Sequence, residues 1–278
     1  MHSRTFSTYT RVLAPRFATT IKEVGKPALT KSIEVKRPFG FDKPILLNHK
    51  VHSYSLSSVK DYFFSPEAKE LRQKRLDHDI VHSPFYESKS FQNTNGKIFT
   101  PPISYFKADK SKYFPDFIAS TLSTKSVSLG ELLEGKVSIV RVYLTVSGEK
   151  CVDTFFQKDG KDLAGADFES FKEEHPNSQI IDINVPQNWM KGFMIGLSKS
   201  NIKKQIPVER QDKYFVLPDH TFGYEIRQVL LCDNMCSGYI YVLDGEGKIR
   251  WATSGYADEE ELELMWKCVR GVEKEISS

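Results

Sequence analysis

The stretch CSGYIYVLDGEGKIRWATSGYADEEELELMW, residues 236–266, decides the fold of this chain. Within it, GYIYVLD and KIRWATSG are rich in β-branched and aromatic residues, which favour strands. Asp244, Gly245 and Gly247 lie between the two runs and are typical of a hairpin turn. From about Ala257 onward, apolar residues recur at helical spacing. The stretch therefore predicts a strand, a turn, a second strand and a helix.

Upstream of this stretch, from Gly135, the chain alternates between strand and helix patterns. KVSIVRVYLT (136–145) and SQIIDINVP (178–186) predict buried strands, and a helical stretch is expected within 149–175. KYFVLPD predicts a short strand, and TFGYEIRQVLL predicts a helix. NWMKGFMIGLSKSNIKKQIP predicts an amphipathic helix with four apolar residues near one face: Trp189, Phe193, Leu197 and Ile202. A strand–helix–strand unit followed by a hairpin and a covering helix predicts an α/β fold with a central mixed sheet.

The size and composition of the chain allow one substantial hydrophobic core. With 278 residues and 40% hydrophobic content, one domain with extensions fits better than two equal domains. No run of about 18 apolar residues occurs, so the sequence predicts no membrane-spanning helix.

Residues 1–22 are basic and contain no carboxylate. The segment is rich in serine and threonine, and it holds four basic residues: Arg4, Arg11, Arg16 and Lys22. This composition predicts a mitochondrial transit peptide, with a disordered basic tail as the alternative. The formal net charge of the whole chain is +3, and leaving out these four residues leaves 35 basic against 36 acidic residues. The resulting charge of −1 disfavours nucleic-acid binding.

A linker and an extension lie between the basic segment and the predicted domain at 119–278. Prolines interrupt residues 23–60, which predicts an irregular linker. Residues 61–118 form the extension, which begins with a helix pattern over about 66–80. Residues 83–118 contain nine aromatic residues: Phe85, Tyr86, Phe91, Phe99, Tyr105, Phe106, Tyr113, Phe114 and Phe117. Two interpretations are open. The segment wraps the domain as an arm, or part of its surface captures an apolar partner.

The order of the elements resembles the thioredoxin superfamily. Its redox proteins follow the first core strand with a pattern such as F-W-A-x-W-C-x-x-C. Set against YLTVSGEKC, Tyr143 takes the place of the phenylalanine, Cys151 that of the second cysteine, and Gly148 that of the attacking cysteine. In these redox proteins a cis-proline that faces the redox site precedes the hairpin. Here Ser237 or Gly238 takes its place. Disulfide exchange needs an attacking thiolate and a resolving thiol. We therefore interpret Gly148 and Cys151 as a vestigial redox position.

The four cysteines allow other chemistry in principle. Cys151 acting alone as a peroxidase would need a P-x-x-x-T-x-x-C arrangement, which is missing, so an inert thiol is favoured. Cys232 and Cys236 form C-x-x-x-C, for which structural thiols are favoured over a regulatory disulfide. A zinc site would need two further ligands at suitable spacing, and no second pair exists. In a reducing compartment all four cysteines, including Cys268, are expected to be thiols.

Four segments together resemble the fungal mitochondrial ATP synthase assembly factors that act on the membrane sector. They are FFSPEAKELRQKRLDHDI, NGKIFTPPISYFKADKSKYFPDF, LTVSGEKC and GYIYVLDGEGKIRWATSGYADEEEL, and the resemblance spans roughly residues 61–275. It implies a thioredoxin-like domain on the matrix side of the inner membrane, without catalytic residues or cofactors. The implied partner is the newly made proton-channel subunit (subunit 6, or subunit a), which would be helped to join the c-ring, with other assembly factors as further partners.

The resemblance also implies a peripheral place at the membrane. A chaperone for so apolar a subunit is expected to expose aromatic or amphipathic surface, and the nine aromatic residues of 83–118 are the candidates. Association through a partner is favoured over direct lipid anchoring. A mitochondrial thiol peroxidase or oxidoreductase that uses Cys151 is the alternative function.

Overall fold

The structure, a computed structural model, describes residues 28–49 and 84–277 apart from residues 188 and 219, together with Glu70 and Gln73. The predicted transit peptide at 1–22 and, apart from those two residues, the helix predicted over 66–80 lie outside the described residues. Within the part of the chain that is described, no helix combines the length and the apolar character needed to cross a bilayer.

The described residues form both β-strands and α-helices. In chain order the strands are β1 (Ile33–Glu34), β2 (Phe99–Thr100), β3 (Ile118–Ala119), β4 (Val127–Ser128), β5 (Val137–Tyr143), β6 (Gln157–Lys158), β7 (Lys161–Asp162), β8 (Ser178–Asn184), β9 (Tyr214–Val216), β10 (Gly238–Leu243) and β11 (Ile249–Ser254). The α-helices are α1 (Pro84–Thr94), α2 (Leu129–Leu133), α3 (Val146–Asp153), α4 (Phe168–Glu174), α5 (Trp189–Gln205), α6 (Tyr224–Val229) and α7 (Glu259–Ile276).

A five-stranded mixed sheet forms the centre of the fold. Its order is β11-β10-β5-β8-β9. Strands β5, β8 and β9 run parallel, and β10 is antiparallel to both β5 and β11. Parallel neighbours require crossover connections, which α3 and α4 supply between β5 and β8 and α5 supplies between β8 and β9. The structure thus confirms the predicted α/β, thioredoxin-like arrangement of a parallel unit, an antiparallel hairpin and a covering helix.

The two faces of the sheet carry separate hydrophobic clusters. Because successive strand residues point to opposite faces, Val140 and Val142 of β5 lie in one cluster and Ile139 and Tyr143 lie in the other. The second cluster is closed by α7 through four buried residues of the predicted stripe: Met265, Trp266, Val269 and Val272. The first cluster is closed in part by the extension, through Ile98, Phe99, Phe114 and Phe117.

The extension and the predicted domain share this first cluster. Phe99 stacks on Tyr239 of β10 with ring centroids 6.1 Å apart, and Phe117 meets Phe215 of β9 edge to face at 5.2 Å. Such pairs contribute about 0.5–1.5 kcal/mol beyond their buried area. The extension is therefore part of the core, and a domain boundary between residues 118 and 119 stays a prediction.

Other segments cover both edges of the central sheet. Along β11, the Ile249 N–H donates to the Lys112 carbonyl and the Phe106 N–H donates to the Arg250 carbonyl, each at 2.7 Å. Along β9, residues 120–122 form backbone hydrogen bonds of 3.1 and 3.3 Å. An uncovered edge strand is a template for pairing with another chain. Both edges of this sheet have their partners within the chain.

The helical stretch expected within 149–175 is interrupted. Helix α3 begins at Val146, before the expected stretch, and α4 follows only after the short hairpin of β6 and β7. Asp159 and Gly160 form the hairpin turn with φ of 52° and 75°. An Asp-Gly pair favours a two-residue turn of this kind because glycine adopts positive φ without strain. The hairpin is absent from the sequence-based predictions, although the Asp-Gly pair is a local signal for it.

Candidate functional site

The predicted vestigial redox position, Gly148 and Cys151, lies where β5 leads into α3. Thr145 caps the helix, and its hydroxyl accepts a hydrogen bond of 3.1 Å from the Gly148 N–H. A Cβ atom added to Gly148 would lie 2.5 Å from the Ser237 carbonyl oxygen, and one added to Gly238 would lie 2.0 Å from the Gly148 carbonyl oxygen. The structure therefore brings together the three aligned positions, Gly148, Ser237 and Gly238. Their backbones are too close for a cysteine side chain at position 148.

The Cys151 thiol is buried one helical turn further along α3. Its residue exposes 0% of its surface. Burial raises the pKa of Cys151, because a thiolate loses its hydration there. A hydrogen bond to the Gly238 backbone and another to Tyr256 lower that pKa in part, as does the charge of Lys97. The balance favours the neutral thiol, which is neither the nucleophile nor the form that binds metals.

A turn of the extension closes this corner from outside. Asn95 and Gly96 have positive φ values of 51° and 80°. The Gly96 carbonyl accepts a hydrogen bond of 2.6 Å from the Ser237 hydroxyl. A Cβ atom added to Gly255 would lie 2.4 Å from the Gly96 carbonyl carbon. Glycine at these positions permits backbone-to-backbone contact, so the turn lies directly on the corner.

Lys97 holds the same turn in place. Its ammonium group donates to the Tyr256 carbonyl at 2.7 Å and forms an ion pair with Glu261 at the start of α7. The two side chains are only 15% and 11% exposed. Burial raises the pKa of Glu261, and the Lys97 charge opposes that rise. We call the set of Gly96, Lys97, Gly148, Cys151, Ser237, Gly238 and Gly255 the closed corner.

The other cysteines are free thiols in surroundings that favour the protonated form. Cys232 is buried, and burial raises its pKa to about 12. Burial raises the pKa of Cys268 to about 11, and it also raises that of the half-buried Cys236. Cys232 and Cys236 do not form a disulfide in this structure. Among the described residues, no group of three or more histidine, cysteine or acidic residues is arranged to hold a metal ion.

The nine aromatic candidates divide by exposure. Three are buried: Phe99, Phe114 and Phe117. Five are half-buried: Tyr86, Phe91, Tyr105, Phe106 and Tyr113. Phe85 is exposed to 85%. The buried three are committed to the core as parts of a wrapping arm. Partner binding by the set stays a prediction, and Phe85 is its most accessible member.

Helix α5 departs from the sequence-based expectation. Leu197 is 66% exposed, whereas Ile202 packs against the core cluster on the α7 face. Five residues along a helix correspond to a rotation of about 140°, so these two side chains point in different directions. The prediction that they share a face is wrong. The side chains of Trp189 and Phe193 lie outside the described residues.

A buried ionic cluster crosses the centre of the sheet. Arg141 of β5 and Asp182 of β8 are partners in the parallel register, and a nitrogen of Arg141 lies 3.2 Å from an Asp182 oxygen. Asp182 also pairs with buried Arg210, and Arg141 pairs with Asp153 of α3. This cluster is absent from the sequence-based predictions. Its signal was a single charge in the middle of each predicted buried strand.

Comparisons with known proteins identify relatives along most of the chain. A family model described as ATP10 protein matches residues 19–272. Three similar proteins are each named mitochondrial ATPase complex subunit ATP10. That of Saccharomyces cerevisiae is 32% identical over 89% of this chain and 90% of its own length. That of Candida glabrata is 34% identical over 87% and 85%, and that of Eremothecium gossypii is 32% identical over 77% and 77%.

Solved structures of low sequence identity share part of the fold. A DsbF homologue from Corynebacterium diphtheriae is 11% identical, covers 60% of this chain and 92% of its own, and has a TM-score of 0.39. A thiol:disulfide interchange protein DsbE from Chlorobium tepidum is 13% identical, covers 60% and 99%, and also has a TM-score of 0.39. At these scores the fold assignment depends on the strand order and connections described above.

Proposed function

The chain belongs to the ATP10 protein family, and on that premise we propose that it is an assembly factor of the mitochondrial ATPase complex. The observation that carries this proposal is the match of the family model to residues 19–272. Relatives named as subunits of that complex are 32–34% identical to the chain over 77–89% of its length. Because the similarity includes the extension as well as the sheet, it concerns the whole architecture.

The finer form of the proposal names a partner and a place. The protein binds newly made subunit 6, the proton-channel subunit, and promotes its joining to the c-ring, without catalysing a reaction. It acts peripherally on the matrix side of the inner membrane, to which residues 1–22 direct it as a transit peptide. The sequence resemblance and the basic, acid-free composition of that segment support these statements.

The state of the closed corner supports a non-catalytic role. Cys151 is buried and its pKa is raised, while Gly148 leaves no room for the attacking cysteine of a redox pair. Thiol–disulfide exchange depends on an accessible thiolate. A Cys151→Ser variant separates this role from the thiol peroxidase or oxidoreductase alternative. Normal ATPase assembly and no loss of peroxide or disulfide turnover in that variant would reject the alternative.

Because both edges of the central sheet are covered, we infer that exposed side chains bind the partner. Addition of a partner strand to the central sheet would require displacement of the segments along β9 or β11. In the extension, Phe85 and Ile103 are exposed to 85% and 93%. Exposed apolar side chains of this kind suit contact with an apolar membrane subunit. We therefore place the first contact with subunit 6 at these residues.

Depletion of the protein tests the assembly role. We expect the assembled membrane sector of the ATPase complex to disappear from native gels while the soluble catalytic sector remains. Normal assembly of the whole enzyme without this protein would reject the proposed function.

Site-specific crosslinking tests the named partner. A photoreactive amino acid at position 85 or 103 should trap newly made subunit 6 during mitochondrial translation. Glu246, whose side chain is 70% exposed in the hairpin turn, is the matched control position. Equal trapping from all three positions, or trapping of a different chain, would contradict the proposed contact.

A further inference from the structure

The turn at Gly96 contains a chemically labile pair of residues. Asn95 is followed by Gly96, and every other asparagine of the sequence is followed by a residue with a side chain. Asparagine is among the thermolabile residues of proteins. In a flexible chain, the backbone nitrogen of the next residue attacks the asparagine side-chain amide, and glycine hinders that attack least because it has no side chain. Asn95 is therefore the asparagine of this chain that is most prone to deamidation.

The fold holds this pair in a tight turn at the end of α1. The Lys97 N–H donates to the Thr94 carbonyl at 3.0 Å, so that Asn95 and Gly96 are the two central residues of a β-turn. Their φ values of 51° and 80° fit a type I′ turn, for which Asn-Gly is a preferred pair. Asn95 is exposed, whereas Gly96 is buried. The turn therefore favours the labile pair and leaves its asparagine open to water.

Hydrogen bonds in the folded protein restrain the nitrogen that would attack. The Gly96 N–H donates to the Phe91 carbonyl at 2.8 Å, which is the long bond of a Schellman motif at the C-terminus of α1. The Gly96 carbonyl accepts from the Ser237 hydroxyl at 2.6 Å and from the Ile98 N–H at 3.0 Å. Gly96 is thus fixed on both sides, and its nitrogen cannot turn toward the Asn95 side chain while these bonds persist. Deamidation then needs a local opening of the turn.

We propose that Asn95 is a deamidation site whose reaction is controlled by the closed corner. The Gly96 nitrogen forms a bond to the Asn95 Cγ atom as the bond from Cγ to Nδ2 breaks. The amide group leaves as ammonia with the proton of the Gly96 N–H, and a cyclic imide remains. Water then opens the imide at either carbonyl and gives aspartate or isoaspartate. The inference does not depend on the proposed assembly role.

Isoaspartate at position 95 would open the corner. In that product the chain runs through the side chain of residue 95, which lengthens the backbone by a methylene carbon ahead of Gly96. Gly96 is packed against Gly255, whose Cα atom lies 3.4 Å from the place of a Cβ atom on Gly96. Well-packed sites accommodate an added methylene poorly. We therefore expect the turn to leave the corner in modified molecules, which makes Cys151 accessible.

Peptide mapping of aged protein tests the control by the corner. The full chain is kept at pH 8 and 37 °C, either folded or unfolded in guanidinium chloride, and deamidation of each asparagine is followed by mass spectrometry. In the unfolded chain, Asn95 should react faster than the other asparagines. In the folded protein it should react more slowly than in the unfolded chain by about tenfold or more, because the reaction waits for opening.

Two serine variants separate the effect of the corner from a general effect of a lost hydrogen bond. Ser237→Ala removes the hydroxyl that donates to Gly96, and it should accelerate deamidation of folded Asn95 by about fivefold, because the turn opens more often. Ser111→Ala is the matched control, since buried Ser111 donates to the Lys107 carbonyl at 2.9 Å elsewhere in the extension. It should leave the rate unchanged. Both variants should react as the wild type does when unfolded.

The Cys151 thiol reports the consequence for the corner. Aged protein with isoaspartate at position 95 should react with an aromatic disulfide reagent at Cys151 faster than fresh protein does. Aged Asn95→Gln protein should stay protected, because the longer glutamine side chain cyclises slowly. Unchanged unfolding midpoints of the fresh variants should show that they fold.

Four outcomes would overturn the inference. Two concern the reaction itself: equal rates at Asn95 in folded and unfolded protein, or faster reaction of another asparagine in the unfolded chain. The third is equal deamidation of folded Ser237→Ala and Ser111→Ala proteins, which would show that the corner does not control the reaction. The fourth is full protection of Cys151 in molecules that carry isoaspartate at position 95.

Discussion

The closed corner and α5 differ in how much of a helix they expose to solvent. At the corner, the backbone of α3 contacts Ser237 and Gly238 at the start of β10, and the backbone at Gly255 contacts the turn at Gly96. Added Cβ atoms at Gly148, Gly238 and Gly255 would lie 2.0–2.5 Å from neighbouring backbone atoms. On α5, a Cβ atom added to Gly196 would meet nothing within 4 Å. Helix α3 is closed by backbone contacts at the predicted vestigial redox position, whereas α5 leaves Met194 and Leu197 exposed to solvent.

This difference shows which side chains of the two regions are accessible to solvent and to reagents. Burial at the corner favours the neutral Cys151 thiol and prevents access to it. On α5, Met194 and Leu197 are accessible to solvent. We expect the two regions to respond in opposite ways to the same kinds of change.

The largest expected effect is protection of the Cys151 thiol. Its modification by an aromatic disulfide reagent at pH 8 should be about a thousandfold slower in the folded protein than in the urea-unfolded chain, because the thiol reacts only after opening. Mass spectrometry should find the half-buried Cys236 modified first. Fast modification of Cys151 in the folded protein would show that the corner is open.

The raised pKa of Cys151 also determines the sign of a pH effect. The folded protein holds the thiol proton more tightly than the unfolded chain does. The stability gained in this way is present below the ordinary thiol pKa and is lost as the pH rises toward the folded value. Cys232, with a pKa of about 12, acts in the same direction. The free energy of unfolding should therefore fall above about pH 8.5.

A pair of glycine-to-alanine variants gives the next largest effect. Gly148→Ala should destabilise the protein by about 3 kcal/mol, because the new methyl group overlaps the Ser237 carbonyl. Gly196→Ala should stabilise it by about 0.5–1 kcal/mol, because alanine favours a helix and has open space there. Urea unfolding measures both. Equal effects of the two variants would contradict the proposed difference between the regions.

Removal of the lysine at the corner should have a smaller cost. Lys97→Ala leaves the largely buried Glu261 without its partner and should cost about 2 kcal/mol near pH 7. The Glu261 pKa is already raised, so its neutral form is favoured in the folded state and stability is lost as the pH rises through the folded pKa. The cost of Lys97→Ala should therefore shrink near pH 4. A Lys97→Ala, Glu261→Gln double variant should recover part of the loss at neutral pH.

The smallest effect is expected on α5. Leu197→Gln should change the free energy of unfolding by less than about 0.5 kcal/mol, because the side chain is 66% exposed. Leu133→Gln in α2 is the matched control, since Leu133 is 5% exposed and its loss should cost more than 2 kcal/mol. A large loss from Leu197→Gln would mean that α5 is packed more deeply than the structure places it.

Local patterns in the sequence were sufficient for the strands and the last helix. The runs around Val140 and Ile181 are apolar on both sides, as the central strands of a parallel unit must be. The turn at Asp244 and the stripe from Met265 to Val272 follow from residue type and spacing alone. The alignment of Gly148 with a missing cysteine also depended only on position along the chain.

Other features require contacts between distant residues. Phe85 and Phe99 belong to one aromatic-rich segment, yet one is 85% exposed and the other is fully buried. In the sequence, Arg141 and Asp182 are isolated charges. Only the parallel register of β5 and β8 makes them partners. Neither difference is encoded in the residues next to these positions.

The sequence by itself determined the α/β class, the hairpin and the family, and it predicted the vestigial redox position, because these depend on periodicity and on residue identity. The tertiary structure alone decided which aromatic side chains form the core, that the turn at Gly96 seals the corner, and which side of α5 faces solvent. Burial is a property of the whole packed chain, since a side chain becomes inaccessible only when residues far along the sequence cover it.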